Sequence, residues 1–204
     1  VFTGIFPFVY LLFEQKDWKK QDLFRNIASG LFPLVISLVF YLLYNYERFG
    51  NPLEMGVSYH LISEFFGDVF EKYGVFNIRY IPTNLYYQYI FYPFPYRPES
   101  IMGGSLFLMS PLFFGVFFSF WKPRSKLYLW ALLASILVTN IPIILLMGTG
   151  YWQIGPRYTL DFTVPLLLLT ALGIEKWKPI IPFLLTLIST FHYLLGVDIL
   201  GQIK

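Results

Sequence analysis

No cysteine occurs in the 204 residues. Disulfides and thiolate metal sites are therefore excluded, and nothing marks the redox compartment. Charge is nearly as scarce: Asp, Glu, Lys and Arg make up 13% of the chain, roughly half the share of an ordinary soluble domain. The net charge of +3 is small, and no basic run offers the stripe that nucleic acid requires, so nucleic acid is not an expected partner. The two histidines, His60 and His192, stand in different segments without ligand spacing. No cofactor is identified, although a divalent metal stays possible. G-x-S-x-G, P-loop and dinucleotide fingerprints are missing. Gly103-Gly104, Gly148 and Gly150 read as loop turns, not as phosphate cradles, and His192 as a packed mid-helix residue. No internal repeat or low-complexity tract is visible.

What is present is apolar. Hydrophobic residues make up 56% of the chain, with 23 Phe and 16 Tyr, and the mean hydropathy is +0.58. Six apolar segments follow, near 1–13, 27–46, 105–121, 127–147, 159–177 and 180–197. Each is near the length a bilayer helix needs, about 20 residues. Helices are the open-chain solution in lipid because every backbone N–H and C=O must be paired internally. The expected fold is therefore all-α, a polytopic membrane helix bundle of about six transmembrane helices. It is one transmembrane domain over 1–204. Pro33, Pro111, Pro142, Pro165 and Pro182 interrupt these segments and are expected to kink them within a packed bundle.

Loop 14–26 carries Lys16, Lys19, Lys20 and Arg25; loop 122–126 carries Lys122, Arg124 and Lys126; turn 175–179 carries Lys176 and Lys178. These alternate loops share one side and hold nine of the 15 basic residues, which makes that side cytoplasmic. Residues 47–104, 148–158 and 198–204 then lie outside. In the long outer loop, 57–73 places Leu61, Phe65, Phe66, Val69, Phe70 and Tyr73 at helical spacing opposite Glu64, Asp68 and Glu71. That pattern predicts an amphipathic helix with Gly74 as its C-cap. A Tyr- and Pro-rich stretch follows, in which no long regular helix can form.

Ionisable residues near membrane helices default to a functional reading, and three outer clusters qualify. In YNYERFGNPLEMG, Gly50-Asn51-Pro52 predicts a turn. There Arg48 is either a phosphate ligand or, like Glu47, an interface anchor. Glu54 and His60 are acceptor-side candidates, with His60 as a solvated helix position the alternative. In NIRYIPTNLYY, Arg79 stacks on Tyr rings, pairs with an anion, or snorkels to lipid phosphate. In GYWQIGPRYTLDF, Gly155 and Pro156 predict a cap and Pro at the first helical position, with Arg157 in the first turn. A cation there opposes the helix dipole. Asp161, by i,i+4 geometry, or an external phosphate is the expected counter-charge.

YNYERFGNPLEMG, KYGVFNIRYIPTNLYY, SPLFF at 110–114 and WQIGPRYTLDF together resemble prokaryotic polyprenol-dependent glycosyltransferases of the GT-C class. Within that class the likeness is to protein-mannosyltransferase-like and lipopolysaccharide glycosyltransferase-like membrane proteins, over most of 40–175. The resemblance implies a multi-pass enzyme of the prokaryotic plasma membrane. It would move a sugar from a polyprenol-phosphate-linked donor to a glycan, lipid or protein acceptor outside. It also implies an acidic catalytic motif in the first outer loop. No such motif occurs here, so the catalytic base is expected upstream of Val1 and the chain is expected to be the C-terminal part of a longer protein. Arg157, Tyr158, Asp161, Arg48 and Arg79 are the candidates for donor phosphate. Glu54, His60, Tyr80 and Gln153 are candidates for the acceptor side or cavity wall. The rival readings are a transporter, flippase or polymerase for lipid-linked glycans, and a noncatalytic scaffold subunit. A transporter should show midplane charges or inverted repeats.

Overall fold

The computed structural model describes residues 20–54, 56, 64–121, 126–148 and 151–202. The expected first span, His60, Lys122 and Arg124 lie outside the described residues. The described residues form two compact units that divide between Val75 and Phe76.

In the first unit, α1 (Lys20–Phe49) is a 30-residue helix. It begins several residues before the apolar run. Asp22 in the first turn suits the helix dipole and pairs with Arg25 at 3.1 Å, so part of the expected basic loop is helical. Along α1 the apolar side chains are exposed or half-exposed, and Asn45 alone among the described ones is buried. A helix apolar all round and unburied needs lipid or other protein against it. The predicted turn forms after α1: Gly50 takes φ +69°, and Asn51 Oδ1 accepts from Leu53 N at 3.0 Å, an Asx turn. Helix α2 (Glu64–Tyr73) occupies the described part of the amphipathic stretch. Gly74, at φ +71°, ends it by donating to Phe70 O at 2.8 Å, as a left-handed C-cap should.

The second unit begins with short pieces: a 3-10 turn Ile78–Tyr80, α3 (Ile81–Leu85) and a π turn Tyr86–Ile90. Another 3-10 turn, Pro98–Ile101, leads to α4 (Leu106–Met109) and a 3-10 helix Pro111–Trp121. Then come α5 (Lys126–Leu145), a 3-10 helix Arg157–Phe162, α6 (Thr163–Ile174) and α7 (Ile180–Gln202). One minor departure from an all-α chain is a two-residue parallel pairing of β1 (Met102–Gly103) with β2 (Gln153–Ile154). Among the described residues four helices are long and apolar enough to cross a membrane: Phe24–Phe49, Leu127–Leu145, Arg157–Ile174 and Ile180–Gln202. The chain thus has the helices of a multi-pass membrane protein.

Pro33 and Pro142 lie inside their helices. Pro111 opens the long 3-10 helix, and Pro182 falls in the first turn of α7, where its missing N–H has no intrahelical partner to lose. Pro165 follows the 3-10 turn Arg157–Phe162 and lies inside the continuous helical run Arg157–Ile174.

A 3-10 helix rarely exceeds four residues, but the one at Pro111–Trp121 runs for 11. Its three-residue period sorts two of the three lines of side chains, while the third runs from buried Gly115 to exposed Phe118 and Trp121. Phe114, Phe117 and Phe120 form an exposed ridge, while Val116 and Ser119 are buried. The buried line packs on α6, where backbones meet at glycines: a Cβ on Gly173 would overlap the Gly115 carbonyl oxygen. In lipid no hydrophobic force drives helices together, so small residues that permit such an approach carry the association. Leu129, Leu132 and Ile136 of α5 and Leu166 and Leu169 of α6 complete the core.

The segment 77–84 is fastened to the end of α5. Asn84 Nδ2 donates to Ile144 O and Leu146 O, each at 2.8 Å, and Asn77 N donates to Leu145 O at 2.9 Å. Three carbonyls left without partners by the helix end are thereby satisfied.

Candidate functional site

Gly155 positions the site. Its φ of +99° suits glycine. Its bare Cα also lets the ring of Tyr193, from α7, close over it, since a Cβ would stand 2.9 Å from Tyr193 Cε1. Gly104 presses on Gly155 from another side, a Cβ there meeting Gly155 Cα at 3.2 Å. Gly104 is thus a packing residue, where the sequence suggested a turn.

Pro156 lies outside the helix as its cap, at φ −91° and ψ 72°, and Arg157 is the first helical residue. That helix is 3-10, which changes the neighbours of Arg157. With three residues per turn, Arg157 shares a line with Leu160, and Asp161 shares one with Tyr158. No ion pair joins Arg157 to Asp161. The i,i+4 pairing expected from an α-helix is lost because position i+4 is turned about 120° away. Both residues are exposed. The Arg157 guanidinium instead lies over the Tyr158 ring, 5.1 Å from its centre, and donates to the Tyr158 hydroxyl at 3.3 Å.

Arg157 lines a cavity of about 390 Å³, a usual size for a small-ligand site. The walls are mostly apolar, with Leu106, Phe113, Ile154 and Leu160, and the polar members include Ser110, Thr159, Thr163 and Tyr193. Thr159 Oγ1 donates to Pro156 O at 2.6 Å and Thr163 Oγ1 to Thr159 O at 2.9 Å. Ser110 Oγ and Tyr193 OH are 3.2 Å apart.

The other candidates are dispersed. Tyr158 packs against the hydrophobic core. Gln153 is buried in β2. Arg79 is exposed and Tyr80 half-buried, in the 3-10 turn capped by Asn77. None of these four lines the cavity, and neither does Asp161. In the first unit, Arg48 is exposed and donates to Tyr44 OH at 3.2 Å. It also lies 4.9 Å from the centre of the Phe49 ring. Glu54 is half-buried in the Gly-Asn-Pro turn.

Ser110 and Tyr193 are site residues that the sequence did not single out. Beside them, His192 holds α7 to α4: its ring lies 3.2 Å from Met109 O at Nδ1 and 2.9 Å from Tyr92 OH at Nε2. A carbonyl can only accept, so Nδ1 carries the proton. His192 is a packed residue, as its mid-helix place suggested. Among the described residues no three His, Asp or Glu side chains gather to hold a metal ion.

No family model, no curated protein and no solved structure matches the chain.

Proposed function

We propose that the chain belongs to an integral-membrane glycosyltransferase of the GT-C type, with six spans and its basic loops in the cytoplasm. It would act on the extracytoplasmic face of a prokaryotic plasma membrane. The donor would be a polyprenol-phosphate-linked sugar, and the acceptor a glycan, lipid or protein. The observation that carries this reading is the Arg157 cavity. An apolar pocket at the mouth of a membrane helix, with one cation that has no carboxylate partner among the described residues, fits a molecule with a hydrocarbon chain and a phosphate. A planar guanidinium matches phosphate geometry and keeps its charge at any physiological pH. For the same reason Arg157 is a binding residue and not an acid–base catalyst.

The test is binding of a long-chain polyprenyl phosphate to the intact protein in lipid nanodiscs, with Arg157→Gln as the variant. A charged hydrogen bond is worth about 1.5–3 kcal/mol, so affinity should fall at least about tenfold. Unchanged affinity in a folded variant would refute the role of the cavity. Transfer of labelled sugar from polyprenyl-phosphate sugars in membranes tests the reaction itself.

A further inference from the structure

We infer that Ser110 and Tyr193 form the second anchor of the Arg157 cavity: a hydroxyl pair with one proton to give to an oxygen of a phosphate-ester lipid. The inference rests on the reading of that cavity as a lipid-phosphate site.

Ser110 Oγ and Tyr193 OH lie 3.2 Å apart, and each oxygen carries one hydrogen. Only one hydrogen can lie between them, so the other must point elsewhere. Neither side chain has another hydrogen-bonding partner among the described residues. Ser110 is buried, and leaving a buried donor unmade is costly. Tyr193 is partly exposed, and both residues line the cavity, which is the open direction they share.

The neighbouring hydroxyls do not compete. Those of Thr159 and Thr163 are spent on the carbonyls of Pro156 and Thr159. The backbone N–H of Ser110 is also used, donating to Leu106 O at 3.0 Å. The pair is held in place before any ligand arrives. The Tyr193 ring rests on Gly155, and the adjacent His192 is fixed at both ring nitrogens. A donor already fixed in place loses little entropy on binding. Charge then selects the ligand: Arg157 takes the anionic oxygen and the neutral pair takes an oxygen beside it. The apolar wall of Leu106, Phe113 and Leu160 takes hydrocarbon.

The pair makes an unusual mutational prediction. If either hydroxyl is removed, the survivor keeps one proton for the ligand. Tyr193→Phe and Ser110→Ala should each lower polyprenyl phosphate affinity by less than about threefold, and the double variant by about tenfold. Restoring one hydroxyl as Ser110→Thr in the Tyr193→Phe background should return affinity to the single-variant level. Binding is read on the intact protein in nanodiscs, with thermal unfolding as the check on folding. If both double variants fail to fold, the single variants decide: a full tenfold loss in either overturns the spare-proton count. If the folded Ser110→Ala/Tyr193→Phe variant binds like wild type while Arg157→Gln loses affinity, the pair has no ligand role and the cavity reading stands. If Arg157→Gln also binds normally, the cavity reading fails with it. Inorganic phosphate should compete far less well than the lipid; equal competition would show a free-phosphate site and overturn the lipid assignment.

Discussion

The side-chain amide of Gln88 donates to Asn140 Oδ1 at 2.8 Å, joining residues 52 positions apart, and the same nitrogen donates to the Tyr89 hydroxyl at 2.9 Å. One buried amide thus ties the π turn Tyr86–Ile90 to the last third of α5. Both bonds are donated by the Gln88 nitrogen, while its Oε1 is buried without a hydrogen-bond partner among the described residues; the two donated bonds alone set the register of this segment on the helix.

Tyr89 makes this junction sensitive to alkali. Burial pushes its phenol from 10.0 up to about 12, against a smaller opposing effect of its hydrogen bonds. Between these values the folded chain keeps a proton that the unfolded chain has released. The associated stability is therefore complete below about pH 10 and falls as pH rises, with roughly 3 kcal/mol lost by about pH 12. Thermal unfolding at stepped alkaline pH should show this decline in wild type and a shallower one in Tyr89→Phe. Parallel curves would show that the phenol is not shielded.

Gly173→Ala should destabilise the protein by about 1–3 kcal/mol or more through overpacking. The new methyl would strike backbone, the Gly115 carbonyl, and not the end of a flexible side chain. Gly30→Ala in α1 is the contrast, because nothing lies within 4 Å of its position. There the loss of glycine's freedom should raise stability by about 0.5–1 kcal/mol. Melting temperatures in detergent should move in opposite directions; equal shifts would contradict the close crossing.

The helical segments were legible because long apolar runs are bounded by Lys, Pro and Gly, as at Lys126 and Pro179. Turn chemistry was legible too, with Gly50 and Gly74 each in the left-handed region. The 3-10 geometry was not. Phe114, Phe117 and Phe120 repeat every three residues, but in a stretch apolar almost throughout, a period of 3.0 cannot be told from 3.6. The Arg157–Asp161 pairing rested on an α-helical period for RYTLDF, which is instead a short 3-10 helix. The cavity was half legible: Arg157 stood out as a cation in the first turn of a helix, whereas Ser110 and Tyr193 meet across 83 positions with no local pattern to connect them.

A double-mutant cycle tests the 3-10 register directly. Arg157→Gln and Asp161→Asn should show a coupling energy below about 0.5 kcal/mol, as independent sites do, in both stability and polyprenyl phosphate affinity. Asp161→Asn alone should leave affinity within about twofold of wild type. A coupling of 1 kcal/mol or more would restore the α-helical pair.

Membrane topology turns on whether 106–121 crosses the bilayer. As an α-helix, 16 residues would extend about 24 Å, short of a hydrocarbon core of about 30 Å. The observed path is longer, because four α residues at about 1.5 Å and 11 3-10 residues at about 2.0 Å sum to roughly 28 Å. The exposed Phe114, Phe117 and Phe120 ridge suits acyl chains along that length. If the segment crosses, three spans separate Ile78 from Lys176 and the two lie on opposite sides; if it does not, they share a side. The chain has no cysteine and both positions are exposed, so single cysteines there can be read with a membrane-impermeant maleimide. Ile78→Cys should label on intact cells and Lys176→Cys only after lysis. Labelling of both on intact cells would reduce the count to the four long helices plus any span outside the described residues. Reversed labelling would invert the orientation inferred from the basic loops and place Arg157 on the cytoplasmic face.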